Sequence, residues 1–505
     1  PGEKIFGEKN KFPVFLHIWV KEGMTEAYQN VYAPVLDPVY GEGTTANVLG
    51  VINEKQEVIK GILFEITDEG RVLKKASAEL SGEYMLPDGV VRIEDDAFEG
   101  CDKLTAFYLA ENSSVALGDR CFKGCTGLKT VMLLGSITGW GDETFMDCTG
   151  IEKLVLGSTD QSMIETVGDR AFKGCTGLSA TTAVELRAVI RNYGKECFAD
   201  CSNMTAVAMS ARARDNIASI GDGVFRNCTK LTAFLNSKLT GLTYIGDYAF
   251  ANCDTLKQPA VPANVTYVGE GCFMDCDNIQ YVSFYCGLEE YPKNCFRNCS
   301  KLIRTGGTAA AFSGLKRIGE SAYEGCSSLT ASSSWNLGRY ANLEEIGDRA
   351  FYGCSTMTDS VLSTKLTSIG ASAFEGCCSL HTLWLQTETS PSFGAFSLGN
   401  MTEDFCIRVP DSQENDDSIY RDYLEKLTAV LGKKNAYQIL DSFSDGAKDR
   451  QSEVTAEEET ETENQEEAVA GGSENTEDNI PGEIEDASEN TDGEVTVISV
   501  PEDPE

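Results

Sequence analysis

The chain has 505 residues, a hydrophobic content of 41% and a formal net charge of −37. Residues 451–505 contain 20 acidic side chains and no Lys or Arg, which leaves −17 for the first 450 residues. An acidic balance argues against nucleic acid as a partner, because phosphates bind to basic surfaces, and against anionic membrane surfaces. No segment has the 18 or more apolar residues of a transmembrane helix, so we expect no membrane insertion. Since the sequence opens at Pro1 without a signal peptide, we expect a mature product or a fragment.

Two local patterns come first along the chain. Residues 18–28 contain an apolar run, a polar turn and an amphipathic, tyrosine-bearing segment, which predicts a strand followed by a helix. Residues 61–75 predict a hairpin, in which Ile62-Leu63-Phe64 and Val72-Leu73 are joined by a turn at Asp68-Glu69-Gly70.

The dominant pattern is an aromatic residue followed three positions later by Cys, repeated twelve times with a mean period of about 25 residues. A large apolar residue precedes each aromatic by five positions, and Gly follows it in ten units, the exceptions being Glu94 and Pro292. The pairs are Phe98/Cys101, Phe122/Cys125, Phe145/Cys148, Phe172/Cys175, Phe198/Cys201, Phe225/Cys228, Phe250/Cys253, Phe273/Cys276, Phe296/Cys299, Tyr323/Cys326, Phe351/Cys354 and Phe374/Cys377.

Each unit predicts a short strand, a short helical turn and a return. Residues 128–133 end in period-two alternation, which is typical of a strand. In residues 245–253, Gly246 allows a tight backbone turn and Asp247 is placed to cap free N–H groups. One unit cannot bury its apolar stripe alone, so the units are expected to stack with a continuous core.

The end of the array is followed by a strand pattern at 407–410 and a tyrosine-bearing helix pattern from Ile419. From about Ser442 the chain is rich in Glu, Thr, Asn and Gly, which predicts disorder. This segment is interpreted as a linker to an anchor or further domain, or as a solubilising tail.

The pattern Ile-Gly-Asp-x-Ala-Phe-x-x-Cys, then x-x-Leu-x-x-Val-x-Leu, resembles the BspA-type leucine-rich repeat over about residues 86–410. The resemblance implies an α/β solenoid, a right-handed superhelix of short parallel strands and short helical turns with about 12 repeats. It also implies an extracellular or cell-surface adhesion protein, often from bacteria that live with animal hosts. The strand residues depart from the pattern at Thr181/Ala183, Thr305/Gly307 and Ser332/Ser334.

With this resemblance the chain divides into five parts. We interpret 1–40 as the C-terminal cap of a preceding array, because its strand–helix pattern is similar to that at the end of the visible array. The other parts are an N-terminal hairpin cap at 41–86, the repeat array at 87–404, a C-terminal strand–helix cap at 405–441 and the acidic tail at 442–505.

Catalytic and metal sites are not expected. The chain has 19 Cys, and four units carry Cys-x-x-x-Cys, at 121/125, 197/201, 272/276 and 295/299. The first Cys of each pair replaces an Ala such as Ala171, which favours a small core residue. Equivalent Cys in stacked units would lie about 5 Å apart, which is within disulfide reach, so disulfides stay the second alternative although the Cys count is odd and framework disulfides usually join distinct positions; a metal site is the third alternative. The chain has only two His, His17 and His381, and neither has a recognisable nucleophile or orienting acid. We therefore predict no enzyme activity and no cofactor.

A binding face is the better candidate. In such repeats the strands form a concave sheet, and the residues between the core positions face solvent. Exposed aromatics often anchor interfaces, and a contiguous apolar strip marks an interaction site. We predict a protein or glycan partner on host matrix or another cell, and a monomeric chain; the alternative is a structural spacer without a ligand. The predicted face contains Tyr108, Met132, Val155, Thr182, Ala208, Ala260, Ser283, Val361 and Trp384, flanked by Tyr281, Tyr285 and Trp335, and the ligand-binding candidates among these are Tyr108, Tyr281, Tyr285, Trp335 and Trp384.

Overall fold

The structure is a computed structural model. It describes residues 18–40, 49–53, 55–158, 163–179, 183–330, 337–395, 401–402, 404–410 and 418–443. The predicted disordered tail lies outside these residues, except for Ser442 and Phe443 in the last strand.

The repeats stack as a solenoid of short parallel strands, which confirms the predicted fold. Most repeats supply two strands where the sequence predicted one, but the repeat between Cys228 and Cys253 has only the trailing strand Tyr244–Ile245. The leading strand follows the Cys, and the trailing strand ends at the apolar residue before the Gly. The leading strands are Gly82–Met85, Leu104–Leu109, Thr130–Leu133, Lys153–Leu156, Val184–Leu186, Ala208–Met209, Ala260–Val261, Tyr281–Phe284, Arg304–Gly307, Ser360–Val361, Thr382–Trp384 and Cys406–Pro410.

The trailing strands form a second set of parallel sheets. They are Val90–Ile93, Ser114–Leu117, Ser136–Trp140, Met163–Val167, Val189–Tyr193, Ser219–Ile220, Tyr244–Ile245, Tyr267–Val268, Glu290–Tyr291, Arg317–Ile318, Glu345–Ile346, Ser368–Ile369 and Ser392–Phe393. Two strands of a repeat belong to different sheets because the chain turns between them, so each repeat has two outward-facing strand surfaces.

Few helices accompany these strands. In the described ranges the helices are Thr25–Tyr40, Ala211–Asp215, Ala309–Gly314, Ser418–Leu431 and Lys433–Ile439, with a 3₁₀ turn at Leu337–Arg339. No helix in the described part of the chain is long and apolar enough to span a membrane.

The predicted hairpin at the start of the array is confirmed. Ile62–Ile66 pairs antiparallel with Arg71–Ala76, and Gln56–Ile59 adds a third antiparallel strand. Arg71–Ala76 then pairs in parallel with Val90–Ile93, so the hairpin covers the first trailing strand. Before it, Ile18–Lys21 pairs in parallel with Leu49–Ile52 and precedes the helix Thr25–Tyr40. The interpretation of residues 1–40 as the cap of an earlier array stays a prediction.

The predicted helical turn of each repeat is a series of tight turns. Backbone bonds join residues three apart, as from Cys101 N–H to the Phe98 carbonyl at 3.0 Å. The residue two after the Gly has a positive φ in every repeat, as Arg120 and Tyr248 show with 55° and 54°. The residue before the Cys also has a positive φ, and it is always Gly, Asn or Asp, the types that tolerate this conformation. Two left-handed residues in each turn prevent a continuous helix.

The core is a continuous column of aromatic rings. Successive rings from Phe98 to Phe374 lie 4.6 to 5.9 Å apart, and most pairs are nearly parallel. Each ring is almost completely buried. Aromatic pairs contribute about 0.5–1.5 kcal/mol each beyond the apolar area they bury, so the column joins every repeat to the next.

The Gly of the repeat is required by close stacking. A Cβ on Gly246 would lie 2.5 Å from the Asp222 backbone nitrogen, and a Cβ on Gly269 would lie 2.3 Å from that of Asp247. Neither Gly has a left-handed φ, so the predicted reason, backbone freedom in a tight turn, is wrong for these positions. Glu94 stands in place of the Gly in the first repeat, where its N–H donates to the Leu73 carbonyl of the hairpin at 2.9 Å.

The Asp after the Gly connects neighbouring repeats. We predicted that it caps N–H groups of its own turn, but its Oδ1 accepts the N–H of the equivalent residue in the next repeat, at 2.6 to 3.0 Å. The pairs are Asp95 to Asp119, Asp119 to Asp142, Asp142 to Asp169, Asp169 to Lys195, Asp222 to Asp247, Asp247 to Glu270 and Asp348 to Ala371.

The repeat Cys residues are free thiols with a specific partner. From Cys125 to Cys377, each S–H donates to the aromatic residue's carbonyl in the preceding repeat, at 3.0 to 3.2 Å. Cys121, Cys197, Cys272 and Cys295 are completely buried in the slot that Ala occupies in six of the other eight repeats. Burial therefore explains both Cys positions. At the position of Cys125 and its equivalents, the thiol also donates to a carbonyl that Ala would leave with fewer donors.

Two of the three predicted strand departures can be compared with the structure. The strand expected at Thr181/Ala183 lies three residues later, where Val184 and Leu186 fill the core positions. Thr305 points inward as expected, and its Oγ1 lies 2.9 Å from the hydroxyl of the buried Tyr323. Ser332 and Ser334 lie outside the described residues.

The array ends in a strand and two helices. The helix Ser418–Leu431 buries Tyr423, whose hydroxyl donates to the Thr387 carbonyl at 3.0 Å. Asp422 accepts the Ser390 N–H at 2.8 Å, so the helix holds the loop of the last repeat. The last strand, Leu440–Phe443, then pairs in parallel with Cys406–Pro410.

Candidate binding surface

The outward row of the first leading sheet begins with three large side chains. Met85, Tyr108 and Met132 are aligned by the strand register, and Met85 is 63% exposed while the other two are half-buried. Their neighbours along each strand, such as Phe107 and Leu109, point into the core. Alternation thus places Tyr108 and Met132 outward, as the sequence predicted.

The hydroxyl of Tyr108 interacts with the carboxylate of Glu83. Burial raises the pKa of its hydroxyl, and a hydrogen bond and the negative charge of Glu83 raise it further. Glu83 is exposed one strand away, on the same surface. The ring therefore has a fixed orientation and a polar edge, as many interface tyrosines have.

The predicted apolar strip is interrupted in its middle. Val155 and Ala208 are buried, which contradicts their predicted exposure. Thr182 lies outside the described residues, and the shifted strand places Glu185 between Val155 and Ala208 in register. Glu185 pairs with Arg187 at 2.7 Å and Lys153 at 3.5 Å, so this part of the face is charged.

Tyr281 and Tyr285 extend from one leading strand and its end. Tyr285 is 39% exposed, and Tyr281 is half-buried with the Arg304 guanidinium 5.4 Å from its ring centroid. Between them Ser283 faces Gly306 and Ala260 in register, and a Cβ on Gly306 would meet no atom within 4 Å. The surface between the two tyrosines is therefore formed by small residues.

Trp384 lies further along the array. It is half-buried, it is in register with Val361 and Arg408, and the Arg408 guanidinium lies 5.0 Å from its ring centroid. Trp335 lies outside the described residues. At about 4.8 Å per strand, Trp384 is about 20 Å from Tyr281, and Tyr108 is further still, so the candidates do not form one small-molecule pocket.

The trailing face carries an aromatic pair that the sequence analysis missed. Tyr244 and Tyr267 are 37% and 44% exposed, and their rings stack 4.8 Å apart with an interplanar angle of 7°. Burial, then the charges of Asp222 and Asp247, raises the pKa of Tyr244, and burial, Asp247 and Tyr244 raise that of Tyr267. Each Tyr directly precedes the inward apolar residue of its strand. That alternation was the available signal, but it is recognisable only once this segment is known to be a strand.

The two His residues are the side chains that the sequence offered for catalysis. His381 is exposed, and its backbone N–H donates to Asp359, while His17 lies outside the described residues. Among the residues with described positions, no group of three or more His, Cys, Asp or Glu side chains could hold a metal ion.

Comparison with known proteins gives one family. The BspA type leucine rich repeat region matches residues 80–205, 159–259, 191–330 and 308–412. No curated protein matches the chain.

Several solved structures are similar. A leucine-rich repeat protein from Bacteroides ovatus ATCC 8483 is 22% identical with a TM-score of 0.41, and the match covers 68% of this chain and 99% of that one. A leucine rich cell surface protein from Faecalibacterium prausnitzii A2-165 is 16% identical with a TM-score of 0.38, covering 68% and 94%. The pneumococcal vaccine antigen PcpA is 11% identical with a TM-score of 0.36, covering 77% and 98%. Because the family matches span residues 80–412, well over half of the sequence, this chain belongs to the BspA type leucine rich repeat family.

Proposed function

We propose that this protein is a cell-surface or secreted adhesion protein without enzyme activity. It binds a protein or glycan on host matrix or on another cell, and it does so as a monomer through the outer surface of its leading strands. The observation that carries the proposal is the row of Met85, Tyr108 and Met132, three large side chains aligned outward on adjacent strands.

The character of this surface supports recognition of an extended partner. Flexible Met side chains and oriented Tyr rings form adaptable contacts, and both types are enriched at protein interfaces. Tyr281, Tyr285 and Trp384 add aromatic contacts further along the same set of sheets. An extended row of separate contacts suits a polypeptide or a glycan chain better than a compact metabolite.

A structural spacer is the second candidate function. It is favoured by the middle of the leading face, where Val155 and Ala208 are buried and Glu185 is paired with Lys153 and Arg187. A spacer would hold another domain away from the cell and would need no ligand of its own.

Replacement of the row of large side chains distinguishes the two functions. In a triple variant, Met85, Tyr108 and Met132 are each changed to Ser, and its binding to immobilised host matrix proteins and to whole cells is compared with wild type. Tyr437→Ser is the control, because Tyr437 is 52% exposed in the second C-terminal helix, which follows the repeat array. Loss of at least tenfold in affinity in the triple variant alone supports the proposal. Unchanged binding contradicts the leading-face site, and no binding by wild type favours the spacer.

A further inference from the structure

The stacked tyrosines of the trailing face form an exposed aromatic pair with one open side. Ser219 is in register with Tyr244, and its hydroxyl donates to Asn192 at 2.8 Å. Ser219 is much smaller than a Tyr, so the ring face of Tyr244 that is turned away from Tyr267 borders a low region of the sheet. A planar group of a partner can continue the stack above Ser219.

Two carboxylates, Asp222 and Asp247, lie beside the rings. Asp222 and Asp247 each use one oxygen to accept the N–H of the next repeat, at 3.0 and 2.9 Å. The Tyr267 hydroxyl also donates to Asp247, at 3.3 Å. Neither carboxylate forms an ion pair with a Lys or Arg in the part of the chain that the structure describes.

The protein itself shows which group such a surface accepts. On the leading face Arg304 and Arg408 lie over the rings of Tyr281 and Trp384, at 5.4 and 5.0 Å. Arg349 lies 3.7 Å from the ring centroid of Tyr352. The guanidinium is planar, weakly hydrated and able both to stack on an aromatic face and to bond a carboxylate, which a Lys ammonium does less well.

We propose that Tyr244, Tyr267, Asp222 and Asp247 form a second binding site, which takes an arginine side chain of a partner polypeptide. The guanidinium stacks on the open face of Tyr244 and pairs with the carboxylates. Charge complementarity favours this occupant over a neutral sugar, because a sugar would leave both carboxylates uncompensated. The net charge of −37 adds long-range attraction for a basic partner. The site lies on the trailing strands, so it does not depend on the leading face as an adhesion surface.

The test uses the full chain and a short peptide, Gly-Arg-Gly-Arg-Gly with neutral ends and a benzophenone cross-linker, in 150 mM salt. Cross-linked residues are mapped by mass spectrometry, and affinity is measured by calorimetry. Mapping is needed because the acidic residues after 450 attract any cation. Wild type should be labelled between residues 219 and 270, and the matched Lys peptide should bind several-fold more weakly.

Matched variants separate this site from general charge attraction. Tyr244→Ser should weaken binding about fivefold or more, the effect of a cation–π contact of about 1 kcal/mol. Tyr244→Phe keeps the ring and should retain most of the affinity. Asp222→Asn removes the charge but keeps the oxygen that accepts the Asp247 N–H, and Asp142→Asn makes the same change in a repeat without the tyrosine pair.

The outcomes are distinct. The proposal requires weaker binding and loss of labelling at 219–270 in Tyr244→Ser and Asp222→Asn, with Asp142→Asn unchanged. Equal affinity in all variants, or labelling confined to residues after 450, would overturn it. Tyr244-dependent binding of a neutral oligosaccharide such as chitotriose, without binding of the Arg peptide, would show a glycan site and also overturn it.

Discussion

Replacing Gly246 with Ala tests whether the tight stacking of repeats determines the Gly of the motif. The new Cβ would lie 2.5 Å from both the Asp222 nitrogen and its Oδ1, and 2.6 Å from the Gly221 carbonyl carbon. Two of these three atoms are backbone, so neighbouring turns must separate. Overpacking of this kind costs about 1–3 kcal/mol. Separation also weakens two bonds between repeats, from Gly246 N–H to Ile220 at 2.8 Å and from Asp247 N–H to Asp222 at 3.0 Å, each worth about 1 kcal/mol.

The lower entropy of Ala in the unfolded chain returns about 0.4–1 kcal/mol, so we expect Gly246→Ala to destabilise the protein by about 2–4 kcal/mol. The control is Gly306→Ala, because a Cβ at Gly306 meets no atom within 4 Å and its φ is ordinary. Urea unfolding followed by circular dichroism gives the stability of each variant, and amide hydrogen exchange at residues 220–270 shows whether the loss is local. Stacking is the wrong explanation if the two variants unfold at the same urea concentration.

Three further predictions concern the thiols and one buried carboxylate. Cys253→Ala should cost about 1–2 kcal/mol in unfolding free energy because Phe225 loses the thiol donor, and Cys253→Ser, which restores a donor, should cost less; equal losses would contradict the role of the hydrogen bond. Titration with a maleimide should label exposed Cys378 first and reach 19 thiols only after unfolding. Rapid labelling of several thiols in the native protein would contradict the burial of the repeat Cys residues. A hydrogen bond from Arg349 lowers the pKa of Glu324, so the stabilisation is complete above the unfolded value of about 4.3 and is lost as the pH falls through the lower folded value. Glu324→Gln should therefore lower the free energy of unfolding in urea at pH 7 by no more than about 1 kcal/mol, because Arg349 is partly exposed, and the difference should shrink as the pH falls below about 4.3.

The repeated core was predictable because each core position recurs in every unit. The period of about 25 residues identified Phe98, Cys101 and their equivalents, and all of these side chains are buried. Binary patterning also located the first hairpin and placed Tyr108 and Met132 outward. These features depend on alternation and spacing within one unit, which a sequence contains directly.

Contacts between units were not predictable in the same way. The alternation within its own strand predicts that Val155 is exposed, yet it is buried. Its neighbours in register are Met132 and Glu185, which belong to the adjacent strands and so to other repeats. Glu185 lies in a strand that begins three residues later than the repeat pattern predicts, because the connection before it is longer. The length of a connection in the sequence does not show at which residue strand pairing begins again. The second strand of each repeat was missed because most trailing strands have only two paired residues and gain their hydrogen bonds from neighbours.

The sequence by itself therefore determined the solenoid, its repeat number and the residues of its core, because burial in a repeat follows the local period. The tertiary structure decided which outward residues are accessible and which meet. Tyr244 and Tyr267 are 23 positions apart in the chain, and only the stacking of consecutive repeats brings their rings to 4.8 Å. The same stacking gives the Gly, Asp and Cys of the motif their partners, because the Gly Cα, the Asp carboxylate and the Cys thiol each lie against a neighbouring repeat.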